Sequence, residues 1–346
     1  MLPDLYEYSG VIHIHTECSF DTSGDLKSLV EAADKTKPDF CLITDHNSIE
    51  FIKKYGEHVI NGCSYICGEE ITPPNLLHHL MALNIKDNIN PDNNPQINID
   101  NVNKQNGISI LCHPHIPEKT LFLFKDVSWK NWDVEGFTGI ELWSYMLEWT
   151  SQINLTNFIL YMLFPHWVVN EPDEDLTYKW DQINKTRKCV CIGGVDAHVK
   201  KIIPYGFNKV FRYDFLFNTI RTNIFTKIPM TDSIETNKNI IYDAIRNGNS
   251  FISNYEISDS RGFRFFAVSN KTIYSVGDTI IYENQQIVFS IVTSVKCEIN
   301  LFRNGEIIAR IIDTELDYMV NQKGNYRVET VLARRKWIIT NNIYVK

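Results

Sequence analysis

The sequence has no Cys-x-x-Cys pair: its eight cysteines stand apart at positions 18, 41, 63, 67, 112, 189, 191 and 297. That spacing excludes a zinc ribbon and offers no disulfide framework. Most of them lie inside apolar runs such as Phe40-Cys41-Leu42 and Leu111-Cys112, the setting of reduced, buried thiols. Long hydrophobic runs are missing too. The longest, Phe158–Phe164, stops at Pro165 and His166, well short of the ~20 residues that cross a bilayer, so no membrane partner is expected. Met1–Tyr8 lacks a basic stretch followed by an apolar one, so no secretory signal is read and the expected location is the cytoplasm. Positive charge is in deficit: 34 Lys and Arg against 42 Asp and Glu give a net charge of −8. Binding to long nucleic acid is dominated by phosphate neutralisation, so the balance favours a small phosphorylated substrate, and long nucleic acid is not an expected partner. There is no Gly-x-x-x-x-Gly-Lys-Ser/Thr loop and no Gly-x-Ser-x-Gly elbow, which excludes a P-loop nucleotide site and an α/β-hydrolase nucleophile.

What is present is 346 residues of ordinary globular composition, 44% hydrophobic and 22% charged. That is enough for two domains, or a barrel with an appendage. Over the first two-thirds, short apolar runs alternate with helical patterns. The runs are Gly10–Ile12, Phe40–Ile43, Tyr65–Cys67, Leu80–Leu83, Ile108–Cys112, Phe137–Ile140 and Cys189–Ile192. Between the first two, Leu26, Leu29, Val30 and Ala33 fall at helical spacing behind a candidate N-cap, Asp25. Strands apolar on both faces and separated by helices predict a parallel sheet or an α/β barrel. Asn84–Asn106 reads as a loop followed by a short helix, and Phe158–Lys185 as an insertion. After Ser258–Gly262 strand signals take over, including an Asn304-Gly305 turn between Cys297–Phe302 and Glu306–Ile311. The expected division is a barrel over 1–257 and a small all-β sandwich over 258–346.

The chemistry lies in the ten histidines, most of which follow an apolar run. His13 and His15 follow Val11-Ile12; Asp45-His46 follows Leu42–Thr44; Glu69-Glu70 follows Tyr65–Gly68; His113 and His115 follow Ile110–Cys112. Glu141 follows Gly139-Ile140, and Asp196 with His198 follows Cys191–Val195. In α/β barrels the C-terminal strand ends converge on one mouth. Residues two apart in a strand share a face, so His13/His15 and Asp196/His198 can each present two groups together. Burying six such sites without a cation leaves unpaired charge, so the pattern predicts a polynuclear metal centre. Mixed imidazole and carboxylate ligands suit Mn²⁺, Fe²⁺ or Zn²⁺.

The series His13-Ile-His15-Thr, Ser19-Phe-Asp21, Thr44-Asp45-His46-Asn47, Gly68-Glu-Glu70-Ile, His79-Leu-Met-Ala-Leu, Cys112-His113-Pro114, Gly139-Ile-Glu141 and Gly194-Val-Asp196-Ala-His198 resembles the PHP (polymerase and histidinol phosphatase) family. The resemblance spans residues 10–200 in order, and Ile241–Phe251 is similar to the helix and strand that end the PHP domain. It implies a distorted (β/α)7 barrel with two to three divalent ions that hydrolyses a phosphate ester through metal-activated water. His13, His15, Glu70 and Asp196 are then implied to hold one ion. Glu70 bridges to a second, completed by His79 and His113. Asp21, His46 and His198 hold a third. Of the neighbouring pairs, either Glu69 or Glu70 and either His78 or His79 could serve, and the family pattern favours Glu70 and His79. Asp196 and His198 are the implied catalytic pair, and Asp45 orients His46 or a water. The alternatives are an exonuclease or oligonucleotide phosphodiesterase, an amidohydrolase-type C–N hydrolase, and a binding module with a vestigial site. Arg303–Glu306, Gly324–Val328 and Trp337–Val345 resemble the immunoglobulin-like β domains appended to some PHP proteins.

Overall fold

The computed structural model describes residues 4–114, 127–200 and 209–346. In chain order the elements are β1 (Tyr6–Ile14), α1 (Leu26–Thr36), β2 (Phe40–Ile43), α2 (Glu50–Tyr55), β3 (His58–Ile60), β4 (Cys63–Cys67), β5 (Glu69–Ile71), β6 (Leu80–Leu83), α3 (Pro95–Lys104), β7 (Ile108–Leu111), β8 (Gly139–Ser144), α4 (Tyr145–Ser151), α5 (Phe158–Leu163), α6 (Glu174–Thr186), β9 (Val190–Gly194), α7 (Tyr213–Leu216), β10 (Ile220–Thr226), α8 (Ile234–Asn247) and β11 (Ser250–Asn254). Eight further strands follow: β12 (Arg264–Ser269), β13 (Thr272–Ser275), β14 (Thr279–Ile280), β15 (Ile287–Arg303), β16 (Glu306–Val320), β17 (Gly324–Leu332), β18 (Arg335–Thr340) and β19 (Ile343–Val345).

The fold is mixed α/β, but among the described residues its ladders form two sheets and no closed barrel. The larger has fourteen strands, eleven of them along the path β13-β12-β15-β17-β18-β11-β10-β1-β2-β4-β3 with β14, β16 and β19 branching from it, and the smaller has five in the order β5-β6-β7-β8-β9. Parallel pairing links β1 to β2, β2 to β4, β7 to β8 and β8 to β9. The expected alternation breaks at β5–β6 and β6–β7, which pair antiparallel with no helix between β5 and β6. Single bridges, Ile14 to Ala197 and His46 to Glu70, are what connect the sheets at the candidate site.

Local chemistry explains the elements. In β2 all four residues are buried, as a strand covered on both faces requires. Asp25 caps α1 by accepting from the Ser28 N–H at 2.9 Å, and Leu29, Ala32 and Ala33 face inward. Asn304 (φ 53°) and Gly305 (φ 88°) take the left-handed pair that a two-residue hairpin turn demands. One apolar core runs from Val11 and Ile43 through Trp143, Trp149 and Trp180 to Ile220. Another gathers Phe251, Phe263, Phe265, Phe289, Tyr326 and Trp337. Hydrogen bonding does not stop at Ser258: β18 pairs with β11, and Asn341 accepts from the Cys191 N–H at 2.7 Å and donates to its carbonyl at 2.9 Å. All eight cysteines are free, and all but Cys18 are buried.

Helix α4 carries Glu148, which accepts from the Asp173 N–H at 3.1 Å. Burial, with the Asp173 charge, pushes its carboxyl up to about 8. The folded state therefore holds a proton that the unfolded state, near 4.5, has released, so stability falls as pH rises between those values. Glu148→Gln is expected to flatten that slope and to be the more stable form at pH 8 and above. Urea unfolding at pH 5, 7 and 9 checks this, and parallel pH profiles for the two proteins would refute it.

Candidate metal centre

The centre begins at the end of β1. Its register against β2 slips between Ile12 and Ile14, and His13 at the slip has φ 69°. Past the slip the chain leaves β2 for the segment beyond β9. The Val195 and Ala197 N–H groups donate to the Ile12 and His13 carbonyls, both at 3.0 Å, and His15 N–H donates to the Ala197 carbonyl at 3.1 Å. His13 and His15 thus meet Asp196 because of a bulge and a strap, not because a regular strand puts i and i+2 on one face. Asp196 (φ 50°) and His113 (φ 29°) also sit in the left-handed region, unusual for residues with a Cβ. On the other side the Glu70 N–H donates to the Asp45 carbonyl at 3.1 Å and the Asn47 N–H to the Glu70 carbonyl at 3.0 Å, fixing β5 beside the chain after β2.

Glu70 is the hub and is fully buried. One oxygen, Oε2, lies 3.2 Å from His13 Nε2, 3.3 Å from His15 Nε2 and 3.1 Å from His46 Nδ1. The other, Oε1, lies 2.9 Å from His79 Nδ1 and 3.1 Å from His113 Nε2. Asp196 Oδ1 is 3.5 Å from His13, 3.3 Å from His15 and 3.3 Å from His198 Nδ1. Asp21 Oδ2 reaches His198 Nε2 at 2.9 Å and His46 Nε2 at 3.5 Å. Within this cluster, ligand atoms of His13, His15, Glu70 and Asp196 lie inside 4.8 Å of one another, as do those of His15, Asp21, His46 and His198, and those of His46, Glu70 and His79.

The donor chemistry fits divalent cations. His13 Nδ1 donates to Glu141 Oε1 at 2.9 Å, so its Nε2, which faces Glu70 and Asp196, is the nitrogen a cation would take. A carboxylate behind the imidazole is how metal-binding histidines are oriented. His13 Nε2, both nitrogens of His15, Glu70 Oε2, His79 Nε2 and His113 Nδ1 are buried with no hydrogen-bond partner, a cost that coordination would remove. Electrostatics agree. Burial works to lower the His13 and His113 imidazoles, but Glu141, Glu70 and Asp196 override it and raise both. His198 is likewise raised, to about 10, against burial, by Asp196 and Asp21. Burial alone would raise Glu70, Asp196 and Asp21; the surrounding imidazoles hold all three low. Without a cation, protons on imidazole carry the compensating charge. Cation uptake is therefore expected to release protons, with affinity rising with pH through the neutral range. Calorimetry in two buffers of different ionisation enthalpy measures this, and uptake without proton release would contradict it.

Other sequence-predicted residues sit elsewhere. Asp45 is fully buried, but its oxygens accept from the Thr16 N–H at 2.5 Å and hydroxyl at 2.7 Å. It thereby anchors the chain after His15 and does not meet the His46 ring. Burial pushes its carboxyl up to about 6. Glu69 faces away and accepts from the Ile89 N–H at 2.7 Å. His78 accepts from the Asn131 N–H at 3.1 Å and stands edge-on to Trp129. His58 and His166 are exposed, and His115 lies outside the described residues. Sequence reading placed Glu141 at a strand end but gave it no task. It holds His13 and also accepts from the His113 N–H at 2.8 Å. Thr72, 2.6 Å from His46 Nδ1, carried no signal. Gly194 is needed for close approach: a Cβ there would lie 2.0 Å from Glu141 Oε1. Gly194→Ala is expected to displace Glu141 and weaken metal affinity about 10–100-fold, read by chelator competition; unchanged affinity would refute it.

No family model and no curated protein sequence matches this chain. Solved structures do. One is a two-domain protein containing a predicted PHP-like metal-dependent phosphoesterase from Bacteroides vulgatus, 16% identical, aligned over 99% of this chain and 98% of its own with a TM-score of 0.48. Another is the lesion-specific endonuclease Q of Pyrococcus furiosus, 14% identical over 75% of this chain and 62% of its own, TM-score 0.42. A third is an endonuclease Q complex with a 27-mer duplex carrying an abasic lesion at its active site, 12% identical over 75% and 63%, TM-score 0.40. That duplex overturns the expectation against long nucleic acid as a partner, and the expectation is withdrawn. The physical fault lay in using a whole-chain charge of −8 for a local question. Bound cations dominate the field in a metal site, whatever the total.

Proposed function

We propose that the protein is a metal-dependent hydrolase of phosphate esters, with its reaction centre at the Glu70 cluster. The observation that carries the reading is the set of partnerless buried nitrogens and oxygens on His13, His15, Glu70, His79 and His113, four imidazoles whose rings each bring one nitrogen within 3.3 Å of the Glu70 carboxylate. In this reading His13, His15, Glu70 and Asp196 hold one cation. Glu70, His79 and His113 hold a second, and Asp21, His46 and His198 a third. Imidazole with carboxylate suits Mn²⁺, Fe²⁺ or Zn²⁺. The cations supply Lewis acidity toward phosphoryl oxygens and bring the pKa of water down toward ~7.

The chain's own residues set up the rest. Glu141 orients His13, and Asp45 holds the turn after His15 through Thr16. Asp196 and His198, 3.3 Å apart, are the catalytic pair in this reading, with His198 or His46 helping to neutralise charge that develops on the leaving oxygen. Lys200, whose ammonium donates to the Asp21 carbonyl, lines the same cleft and adds positive charge at its rim. The two open sheets are read as staves of a distorted barrel, supported by the Ile14–Ala197 and His46–Glu70 bridges. Residues beyond about 258 are read as a β-sandwich-like unit built on β11.

The test is phosphate and nucleotide release from phosphomonoesters, phosphodiesters, oligonucleotides and duplex DNA with Mn²⁺ present, Asp196→Asn alongside. Activity on one ester class, lost by more than about 100-fold in the variant, is the expected result. No hydrolysis of any phosphoester by the metal-loaded protein would remove this reading and favour amide hydrolysis or a binding role.

A further inference from the structure

The cleft that holds the cluster has two unlike walls. One is the cluster with Lys200 beside it, whose ammonium is already bonded to the Asp21 carbonyl; the other is Val127, Met146, Leu147, Thr150 and Phe211. The second wall comes mainly from α4 and is apolar. Its one hydroxyl, on Thr150, donates to the Leu147 carbonyl at 3.0 Å. Trp149 on the same helix stands edge-on to Phe211, ring centroids 6.2 Å apart, so the wall is backed by packed aromatics. At the rim Phe20 is 76% exposed yet stacks on His46 at 5.1 Å with an interplanar angle of 25°.

Resting on the phosphoesterase reading, we propose that this wall is a subsite for a planar, apolar ring on the substrate, adjacent to the phosphoryl group held at the cluster. Two features argue for a ring over a polyol. Among the described residues of this wall, the side chains offer nothing to replace the water a sugar hydroxyl would lose, apart from the Thr150 hydroxyl, already committed. An apolar ring gains by leaving water, and Met146 and Phe211 line the wall with an adaptable thioether and an aromatic ring, groups that pack well against a ring. An aryl ester and a nucleobase share this chemistry.

The test uses the full chain loaded with Mn²⁺. Calorimetry compares the non-hydrolysable phenylphosphonate with 2-hydroxyethylphosphonate. Turnover compares phenyl phosphate with glycerol 2-phosphate, and thymidine monophosphate with deoxyribose 5-phosphate. The ring-bearing member of each pair is expected to win about tenfold or more. In Leu147→Asn the ratios are expected to move toward one, and in Leu147→Met to persist. A ring preference confined to phenyl compounds identifies an aryl ester; one shared by thymidine monophosphate identifies a base. Ratios at or below one in the wild-type protein overturn the proposal whether or not the variants fold, and so do ratios unchanged in a folded, metal-replete Leu147→Asn protein. Ring-selective binding with no turnover of any ester would sink the phosphoesterase reading and leave the subsite standing. Turnover of every ester at equal rates would do the reverse.

Discussion

Glu70→Gln is expected to abolish metal retention and phosphoester hydrolysis together. No other side chain touches as much of the centre. Its two oxygens lie within 3.3 Å of His13, His15, His46, His79 and His113, and it is fully buried. Gln keeps the shape but replaces one oxygen by an NH₂ group, a donor where coordination needs an acceptor, and it removes the charge that would balance bound cations. Losing an orienting residue behind a ligand costs about 10–100-fold in metal affinity, so losing a carboxylate that faces five imidazoles should cost more. Glu69→Gln is the matched control. Its neighbour's carboxylate is held by the Ile89 N–H and points away from the cluster, so metal content should be unchanged. Metal analysis after dialysis, with chelator competition, reads both. Wild-type metal content and affinity in Glu70→Gln would refute the arrangement described above.

The choice of Glu70 over Glu69, and of His79 over His78, was legible in the sequence only through family pattern. The physics behind it is register: Glu70 N–H bonds to Asp45 and its carbonyl receives Asn47 N–H, so Glu69 must face the opposite side. Residue types following apolar runs were equally legible, because chain ends of strands are where side chains escape the ladder. What the sequence did not reveal is long-range or conformational. The bulge at His13 and the left-handed Asp196 and His113 have no local signature, since none is glycine. Glu141's task depends on His13, which is 128 residues away in sequence. The apolar wall on α4 reads as ordinary core until the fold sets it opposite charge. Strand direction was hidden for a similar reason: the pattern of apolar runs is the same whether β5, β6 and β7 pair parallel or, as here, antiparallel.

Away from the metal centre, Arg327→Met is expected to lower the unfolding free energy by about 3–5 kcal/mol. Arg327 on β17 is only 2% exposed. Its guanidinium donates to both oxygens of Asp181 on α6 at 2.8 Å and to Glu329 at 2.5 Å, and lies 4.0 Å from the Phe302 ring centroid. Glu329 has a second cation, Lys336. Among the described residues Arg327 is the one cation paired with Asp181, which is itself buried. Removing the arginine thus strands a buried carboxylate, which costs far more than the pair contributes on balance. Adding Asp181→Asn to Arg327→Met should recover part of the loss, a coupling that a purely packing role would not produce. The pH dependence has a definite sign. Burial would raise Glu329, but Arg327 and Lys336 hold it below its ordinary 4.5. Its stabilising contribution is therefore present above 4.5 and lost as pH falls below it. Without Arg327 that acid limb should be shallower. Chemical unfolding of the wild type, the single and the double variant at pH 4 and pH 7 measures both effects. An Arg327→Met protein as stable as wild type at pH 7 would show that the cluster is solvated in a way its burial does not allow.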